Sequence, residues 1–163
     1  MRKPTKEDLL WCEKNAPAYE IGKSAQAMKR SNPTAKLGLY LGDFDEITPA
    51  DSVFLTLCRT ECDILVVLIP SDYSMRINGQ KPRFSTDERL FRLGSLSVVG
   101  FTSSFDEADP TLAISKIGPD IVFYGRTEKD IDNYKLMLNK DKLFEIETPF
   151  RETRKFVYWS LEG

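Results

Sequence analysis

Residues 36–55, KLGLYLGDFDEITPADSVFL, join three features that are typical of the corner between a strand and a helix in an open α/β domain. An apolar run predicts a strand, and residues 42–45, GDFD, predict the turn that follows it. Thr48 and Pro49 fit the N-cap and the first position of a helix over residues 49–60. In an open parallel sheet, the loop between such a strand and helix faces the ligand crevice.

Beyond this corner, short apolar runs alternate with helical patterns, which predicts βαβ units. Residues 64–69, ILVVLI, are apolar throughout and predict a central strand that is covered on both faces. The predicted strands are residues 37–41, 64–69, 97–101, 121–124 and 143–146. The predicted helices are residues 49–60, 86–96, 110–117 and 128–138, and residues 72–85 are predicted to be irregular. We therefore expect a Rossmann-like, three-layer α/β/α domain at residues 36–163, with a mainly parallel sheet of about five strands.

Residues 1–35 are predicted to form an N-terminal helical arm before that domain. Helices are expected at residues 5–14 and 17–30, and the second has a weakly apolar face that is typical of packing on its own domain or on a neighbouring subunit. At the other end, residues 153–161 favour a strand by propensity, although a helix fits them as well.

Composition limits the function classes. The 163 residues suit one domain, and 23 basic against 25 acidic residues give a net charge of −2. Such a chain has no global attraction to nucleic acid or to an anionic membrane, so neither is expected as a partner. No run approaches the ~20 apolar residues that span a bilayer, so a cytoplasmic location is expected, with a virion component left open. The three cysteines and the absence of histidine favour reduced core thiols over a zinc site.

Residues 42–51, GDFDEITPAD, resemble the first motif of the cytidylyltransferase-like nucleotidyltransferases, which is Gly-x-Phe-Asp followed by His-x-Gly-His. The resemblance extends in order through SDYSMR at 71–76, TDER at 86–89, residues 105–112 and GPDIV at 118–122. It covers roughly residues 36 to 150. It implies the fold of this family and also its reaction, in which a nucleoside triphosphate is joined to a phosphorylated small molecule and pyrophosphate is released.

The resemblance also locates candidate catalytic residues. The two family histidines hold the phosphates while negative charge builds in the transition state. Here Thr48 and Asp51 stand at their positions, and Ala50 replaces the glycine between them. A family lysine in the loop after the second strand corresponds to Asn78, with Lys81 nearby. The candidate catalytic residues are therefore Thr48, Asp51 and Lys81.

The family resemblance assigns nucleotide binding to further positions, namely Gly42, Phe44, Asp45, Asp72, Arg89 and Gly125. Arg89 corresponds to a family arginine that faces the phosphates, and a solvated helix face is the competing interpretation. At the end of the fourth strand, Tyr124 replaces another family lysine.

No resident metal is predicted, but a bound nucleotide would bring Mg²⁺, for which Asp43, Asp45 and Asp51 are conceivable ligands. Thr48, Pro49 and Asp51 also make a well-capped helix start that needs no ligand. An aspartate there competes with phosphate for the helix terminus.

We therefore expect a nucleotidyltransferase-fold protein that has lost its catalytic phosphate grip and serves as a binding or assembly component. The expected partners are CTP or ATP, a second copy of the chain, or a larger assembly, which includes a viral one. The alternative is an active enzyme that transfers CMP or AMP from CTP or ATP to a phosphorylated sugar or polyol. It would use Thr48, Lys81, Arg89 and a metal at Asp45 or Asp51.

Overall fold

The structure is a computed structural model that describes residues 13–125 and 142–146. Its helices are α1 (Ala18–Ser31), α2 (Pro49–Thr60), α3 (Asp72–Ile77), α4 (Thr86–Gly94) and α5 (Thr111–Ile117). Its strands are β1 (Leu37–Leu41), β2 (Ile64–Pro70), β3 (Phe101–Phe105), β4 (Ile121–Gly125) and β5 (Leu143–Ile146).

Within the described residues, the five strands form one sheet in the order β3-β2-β1-β4-β5, and every neighbouring pair is parallel. The predicted Rossmann-like fold is confirmed. Strand β2 is buried along nearly its whole length, as its unbroken apolar run predicts.

Two apolar layers cover the faces of the sheet. Alternate residues of β1 divide between them, because neighbouring side chains of a strand point to opposite faces. Leu37, Leu39 and Leu41 pack with α1 and α5, whereas Tyr40 packs with α2 and α4. This arrangement gives the three layers that the sequence predicts.

Helix α1 shares the core of the sheet. Ile21 is fully buried in the same cluster as Leu39, and a Cβ atom at Gly22 would lie 2.2 Å from the carbonyl oxygen of Lys116 in α5. Before the helix, Asn15 forms a parallel bridge with Thr102 of β3. Helix α1 therefore packs on its own domain, which is one of the two packing partners expected for it, while the division at residue 35 stays a prediction.

Strand β3 corrects the sequence prediction. Residues 97 and 98 lie in a turn and Val99 is buried just after it, whereas the strand is Phe101–Phe105. Pairing begins when the Gly100 N–H donates to the Leu65 carbonyl, and Phe101 then aligns with Val66. Register with β2 thus decides the strand, and local hydrophobicity does not.

Smaller differences concern the neighbouring elements. The segment predicted to be irregular at residues 72–85 contains the short helix α3, and α4 ends at Gly94 two residues before its predicted end. Residues 13 and 14 form a turn instead of helix, and the rest of the predicted helix 5–14 lies outside the described residues. So do residues 128–138 and 153–161.

Cys58 and Cys62 are buried free thiols, as predicted, and Cys12 lies outside the described residues. Burial raises the pKa of Cys62 to about 11, so its unreactive thiol form dominates at neutral pH. Among the described helices, none combines the length and the apolar character that crossing a membrane requires.

Candidate functional site

The candidate site lies at the carboxyl ends of β1 and β4, where the strand order reverses direction. Parallel α/β sheets bind ligands at such a switch point. On this edge, the segment after β1 (residues 42–48) is called the β1 loop, and the segment after β2 (residues 71–85) is called the β2 segment.

Gly42 and Phe44 form the base of the β1 loop. The Gly42 N–H donates to the Leu68 carbonyl at 3.3 Å and so extends the sheet contact beyond β1. A Cβ atom at Gly42 would lie 2.8 Å from the Phe44 ring, which is buried and packs edge-on against Tyr40. Phe44 adopts a left-handed backbone with φ of 49°, which bulky residues rarely do. Both residues shape the loop from inside, and their predicted role in nucleotide binding stays a prediction.

Thr48 and Asp51 close the start of α2 with a capping box. The Asp51 Oδ2 atom accepts from the Thr48 N–H at 2.7 Å and from the Thr48 hydroxyl at 2.8 Å. The Thr48 Oγ1 atom in turn accepts from the Asp51 N–H at 3.3 Å. Asp51 is only 5% exposed, so this carboxylate belongs to the floor of the corner.

Asp45 joins the β1 loop to the β2 segment. Its carboxylate accepts from the backbone N–H of Arg83 at 2.8 Å and from that of Phe84 at 2.8 Å. The Arg83 side chain pairs with Glu46, and the Asp43 carboxylate accepts from the Asp45 N–H at 3.1 Å. In the part of the chain that the structure describes, no three Asp, Glu, Cys or His side chains are grouped to hold a metal ion.

Arg89 is the most deeply buried charged residue of this edge, with 0% exposure. Its guanidinium donates to the carbonyl oxygens of Asp43 and Pro70 at 2.9 Å and to that of Phe84 at 3.1 Å. It also forms an ion pair of 3.0 Å with Asp72. The interpretation of Arg89 as part of a solvated helix face is therefore wrong. Its predicted contact with phosphate stays a prediction, but the guanidinium already donates hydrogen bonds to four protein oxygen atoms.

The two residues considered for the family lysine differ in their surroundings. The Asn78 side chain donates to the carbonyl oxygens of Ser74 at 3.0 Å and Ala108 at 2.9 Å, which fixes it against the loop after β3. Lys81 is exposed. Its proposed catalytic role stays a prediction.

At β4, Tyr124 is half-buried and Gly125 is buried where β4 pairs with β5. The chain continues from Gly125 into residues outside the description, so the predicted nucleotide contact of Gly125 stays a prediction.

The electrostatics of the corner oppose an anion. Residues 42–51 contain the acidic residues Asp43, Asp45, Glu46 and Asp51 and no lysine, arginine or histidine. Phosphate sites combine free backbone donors with positive charge. This corner instead presents carboxylates and uses several of its donors in protein contacts.

Sequence reasoning missed three parts of this edge. These are the Asp72–Arg89 ion pair, the contacts between Asp45 and the β2 segment, and a second capping box between Ser85 and Glu88 at the start of α4. The box carries a visible local signal, since Ser-x-x-Glu before a helix is a known capping pattern. The other two are long-range contacts without a local signal.

The chain resembles proteins of known sequence and structure over its α/β core, although no family model matches it. It is 34% identical over 92 residues to a bifunctional protein HldE of Rhodopseudomonas palustris, which covers 55% of this chain and 19% of that protein. It is 36% identical over 86 residues to a bifunctional protein HldE of Helicobacter pylori, which covers 52% of this chain and 19% of that protein. The chain thus spans about a fifth of the length of these curated relatives.

A solved structure has the same fold over most of its length. It is a lipopolysaccharide core biosynthesis protein from Thermoplasma volcanium, with a TM-score of 0.62 and 26% sequence identity. The match covers 69% of this chain and 96% of that protein.

Proposed function

We propose that the chain is a member of the cytidylyltransferase-like nucleotidyltransferases and that it serves as a non-catalytic binding or assembly component on that fold. In this proposal the corner after β1 keeps the backbone architecture of the family but no longer binds the phosphates of a triphosphate tightly. The predicted contacts with CTP or ATP are then weak.

One observation carries the proposal, which is the Asp51 carboxylate at the start of α2. It accepts both the N–H and the hydroxyl of Thr48. A phosphate at this helix terminus would lose the Thr48 donor and meet a negative charge. Two like charges about 4 Å apart repel by about 1 kcal/mol in water and by several times that near a protein surface.

The surroundings of Arg89, the arginine predicted to face the phosphates, support the same conclusion. Arg89 donates to three carbonyl oxygens and to Asp72, so a phosphate would have to displace these partners. Each displaced buried carbonyl would cost about 1–3 kcal/mol. The transition state would therefore gain little stabilisation from this side chain.

Calorimetric titration with CTP and ATP in the presence of Mg²⁺ tests the binding part. We expect weak or no binding by the natural chain. Asp51→Asn removes the charge while keeping the size of the side chain, and we expect it to bind either triphosphate about tenfold more tightly. The matched control is Asp87→Asn, which removes an exposed carboxylate from α4. Equal binding by all three proteins would contradict the role of Asp51.

A pyrophosphate-release assay tests the catalytic part. The acceptors tested first are phosphorylated sugars, because the Thermoplasma volcanium relative is a lipopolysaccharide core biosynthesis protein, and then glycerol phosphate. We expect no release with CTP or ATP. Robust turnover would establish the alternative, an active transferase.

The proposed homodimer, or membership of a larger assembly that includes a viral one, is tested by light scattering. The single chain has a mass of 18.6 kDa. That mass at every protein concentration would contradict a homodimer.

A further inference from the structure

Residues 78–80, Asn-Gly-Gln, follow α3 and contain the only Asn-Gly pair of the sequence. Asparagine is a chemically labile residue, and a glycine after it leaves the backbone nitrogen unhindered, because glycine has no Cβ atom. Asn78 is partly exposed and Gly79 is exposed, so water and base reach both residues. The pair therefore has the sequence and the accessibility of a site where an asparagine loses its side-chain amide.

The backbone of the pair closes α3 with a Schellman motif. The Gly79 N–H donates to the Arg76 carbonyl at 3.0 Å, and the Gln80 N–H donates to the Met75 carbonyl at 2.8 Å. Gly79 has a φ of 75°, in the left-handed region that this motif requires. The Gly79 nitrogen, which is the nucleophile in deamidation, is thus engaged in the end of the helix.

The side chain of Asn78 is held as well. Its Nδ2 atom donates to the carbonyl oxygens of Ser74 at 3.0 Å and Ala108 at 2.9 Å. The ψ angle of Asn78 is 12°, so the bond to the Gly79 nitrogen nearly eclipses the backbone nitrogen of Asn78. Attack on Cγ requires that bond to eclipse Cβ instead. The folded turn therefore keeps the two reacting atoms apart.

We propose that Asn78 is a site of spontaneous deamidation and that opening of the turn after α3 sets its rate. In the opened turn, the Gly79 nitrogen loses its proton to base and bonds to the Asn78 Cγ atom. The Cγ–Nδ2 bond breaks, and Nδ2 takes up a proton and leaves as ammonia. Water then opens the five-membered imide at either carbonyl, which leaves an aspartyl or isoaspartyl residue at position 78.

The product loosens the end of α3. An ionised carboxylate only accepts hydrogen bonds, so the Ser74 and Ala108 carbonyls lose their donor. The new negative charge also lies at the carboxyl end of a helix and beside the loop after β3, which contains Asp106, Glu107 and Asp109. The hydrogen bond from the Ser74 hydroxyl to the Glu107 carbonyl, at 2.7 Å, then remains to hold α3 to that loop.

Deamidation would act on the edge of the candidate site, because α3 begins at Asp72, the partner of Arg89. It changes no residue of the capping box at α2. This inference goes beyond the proposed function and does not depend on it. The nucleotide titration decides the state of the α2 corner, whereas the experiments below decide only the chemistry at Asn78.

Peptide mapping by mass spectrometry tests the site in the full chain. The protein is kept in mildly alkaline buffer with and without guanidinium chloride, and conversion is followed at each of the five asparagines. In denaturant we expect Asn78 to react fastest, and in the folded protein at least about tenfold more slowly than in denaturant. Asn32 is the internal control, because Pro33 has no N–H to attack Cγ. Lack of preference for Asn78 in denaturant, or equal rates at Asn78 in both conditions, would overturn the proposal.

A variant that loosens α3 tests the role of opening. Ser74→Ala removes the hydroxyl that holds α3 to the loop after β3, so we expect Asn78 of the folded protein to deamidate about threefold faster or more. The matched control is Thr56→Ala, which removes a hydroxyl that donates to the Ser52 carbonyl within α2 and should leave the rate unchanged. In denaturant the three proteins should react equally. An unchanged rate in folded Ser74→Ala would contradict control by opening.

Hydrogen exchange tests the consequence for α3. Asn78→Asp reproduces the aspartyl product, and we expect the amides of residues 73–80 to exchange about threefold faster or more. The matched control is Asn32→Asp, which places the same charge at the end of α1 and should leave exchange in residues 73–80 unchanged. If Asn78→Asp exchanged like the natural chain, the product would not loosen α3.

Discussion

Helices α2 and α4 begin with the same device in different surroundings. At α2, Asp51 Oδ2 accepts from the Thr48 N–H and hydroxyl at 2.7 and 2.8 Å. At α4, Glu88 Oε2 accepts from the Ser85 N–H and hydroxyl at 2.8 and 2.9 Å. The first carboxylate is buried and the second is exposed. A capping box thus marks a helix start in both places, and the box at α2 is the one that lies at the switch point of the sheet.

The two helix starts differ in what precedes them. Helix α2 follows β1 through the short β1 loop and so opens at the switch point of the sheet. Helix α4 follows the β2 segment. Arg89, in the first turns of α4, connects the two starts because it donates to the Asp43 carbonyl in the β1 loop and to the Phe84 carbonyl before α4.

The largest expected loss of stability comes from removing the Arg89 hydrogen bonds that connect the two helix starts. Arg89→Met removes the donors of three carbonyl groups and the partner of Asp72. Since the Asp72 side chain keeps some contact with water, the unsatisfied carbonyls supply most of the cost. We expect the free energy of unfolding in urea to fall by about 3 kcal/mol or more.

Arg92→Met is the matched control, because Arg92 is on the same helix and makes one 3.5 Å hydrogen bond and a contact with the Phe84 ring. Its expected loss is about 1 kcal/mol or less. Equal losses for the two variants would contradict the role of Arg89.

The next largest expected effect is a difference in stability between variants of the two capping boxes. Thr48→Ala removes a cap and also leaves the buried Asp51 carboxylate with one partner fewer, so we expect a loss of about 2 kcal/mol. Ser85→Ala removes only an exposed cap, which typically costs about 0.5–1 kcal/mol. Thermal or urea unfolding of the two variants measures the difference. If both losses were the same, burial of Asp51 would have no energetic consequence.

The smallest effect concerns acid pH. The Ser85 backbone N–H, followed by the Ser85 hydroxyl, lowers the pKa of Glu88. A carboxyl with a lowered folded-state pKa stabilises the protein above its unfolded-state pKa, and this contribution is lost as the pH falls through the folded-state pKa. Glu88→Gln should therefore make the acid limb of the unfolding free energy slightly less steep. Superimposable pH profiles for the two proteins would refute this assignment.

The sequence predicted the bounds of β1 and α2 correctly because their signals are local. Gly42 ends the strand, and Thr48 with Pro49 starts the helix. Strand β3 was misplaced by four residues because its signals are not local. Its sequence, FTSSF, is less apolar than the preceding residues, and pairing with β2 and with Asn15 makes it a strand.

The candidate site divides in the same way. The cap formed by Thr48 and Asp51 was predictable because its donors and acceptors are three residues apart. The burial of Arg89 was not, since its acceptors come from residues 43, 70, 72 and 84. An arginine beside the apolar face of an amphipathic helix has the same sequence pattern whether it contacts water, phosphate or carbonyl oxygens.

By itself, the sequence determined the alternation of strands and helices, the parallel sheet and the acidic character of the corner after β1. These follow from periodicity, capping and composition, which act over a few neighbouring residues. Only the tertiary structure decided that Arg89 is enclosed and that the Asp45 carboxylate connects the β1 loop to the β2 segment. Each of these depends on residues that are distant in the chain and become neighbours only when the strands pair.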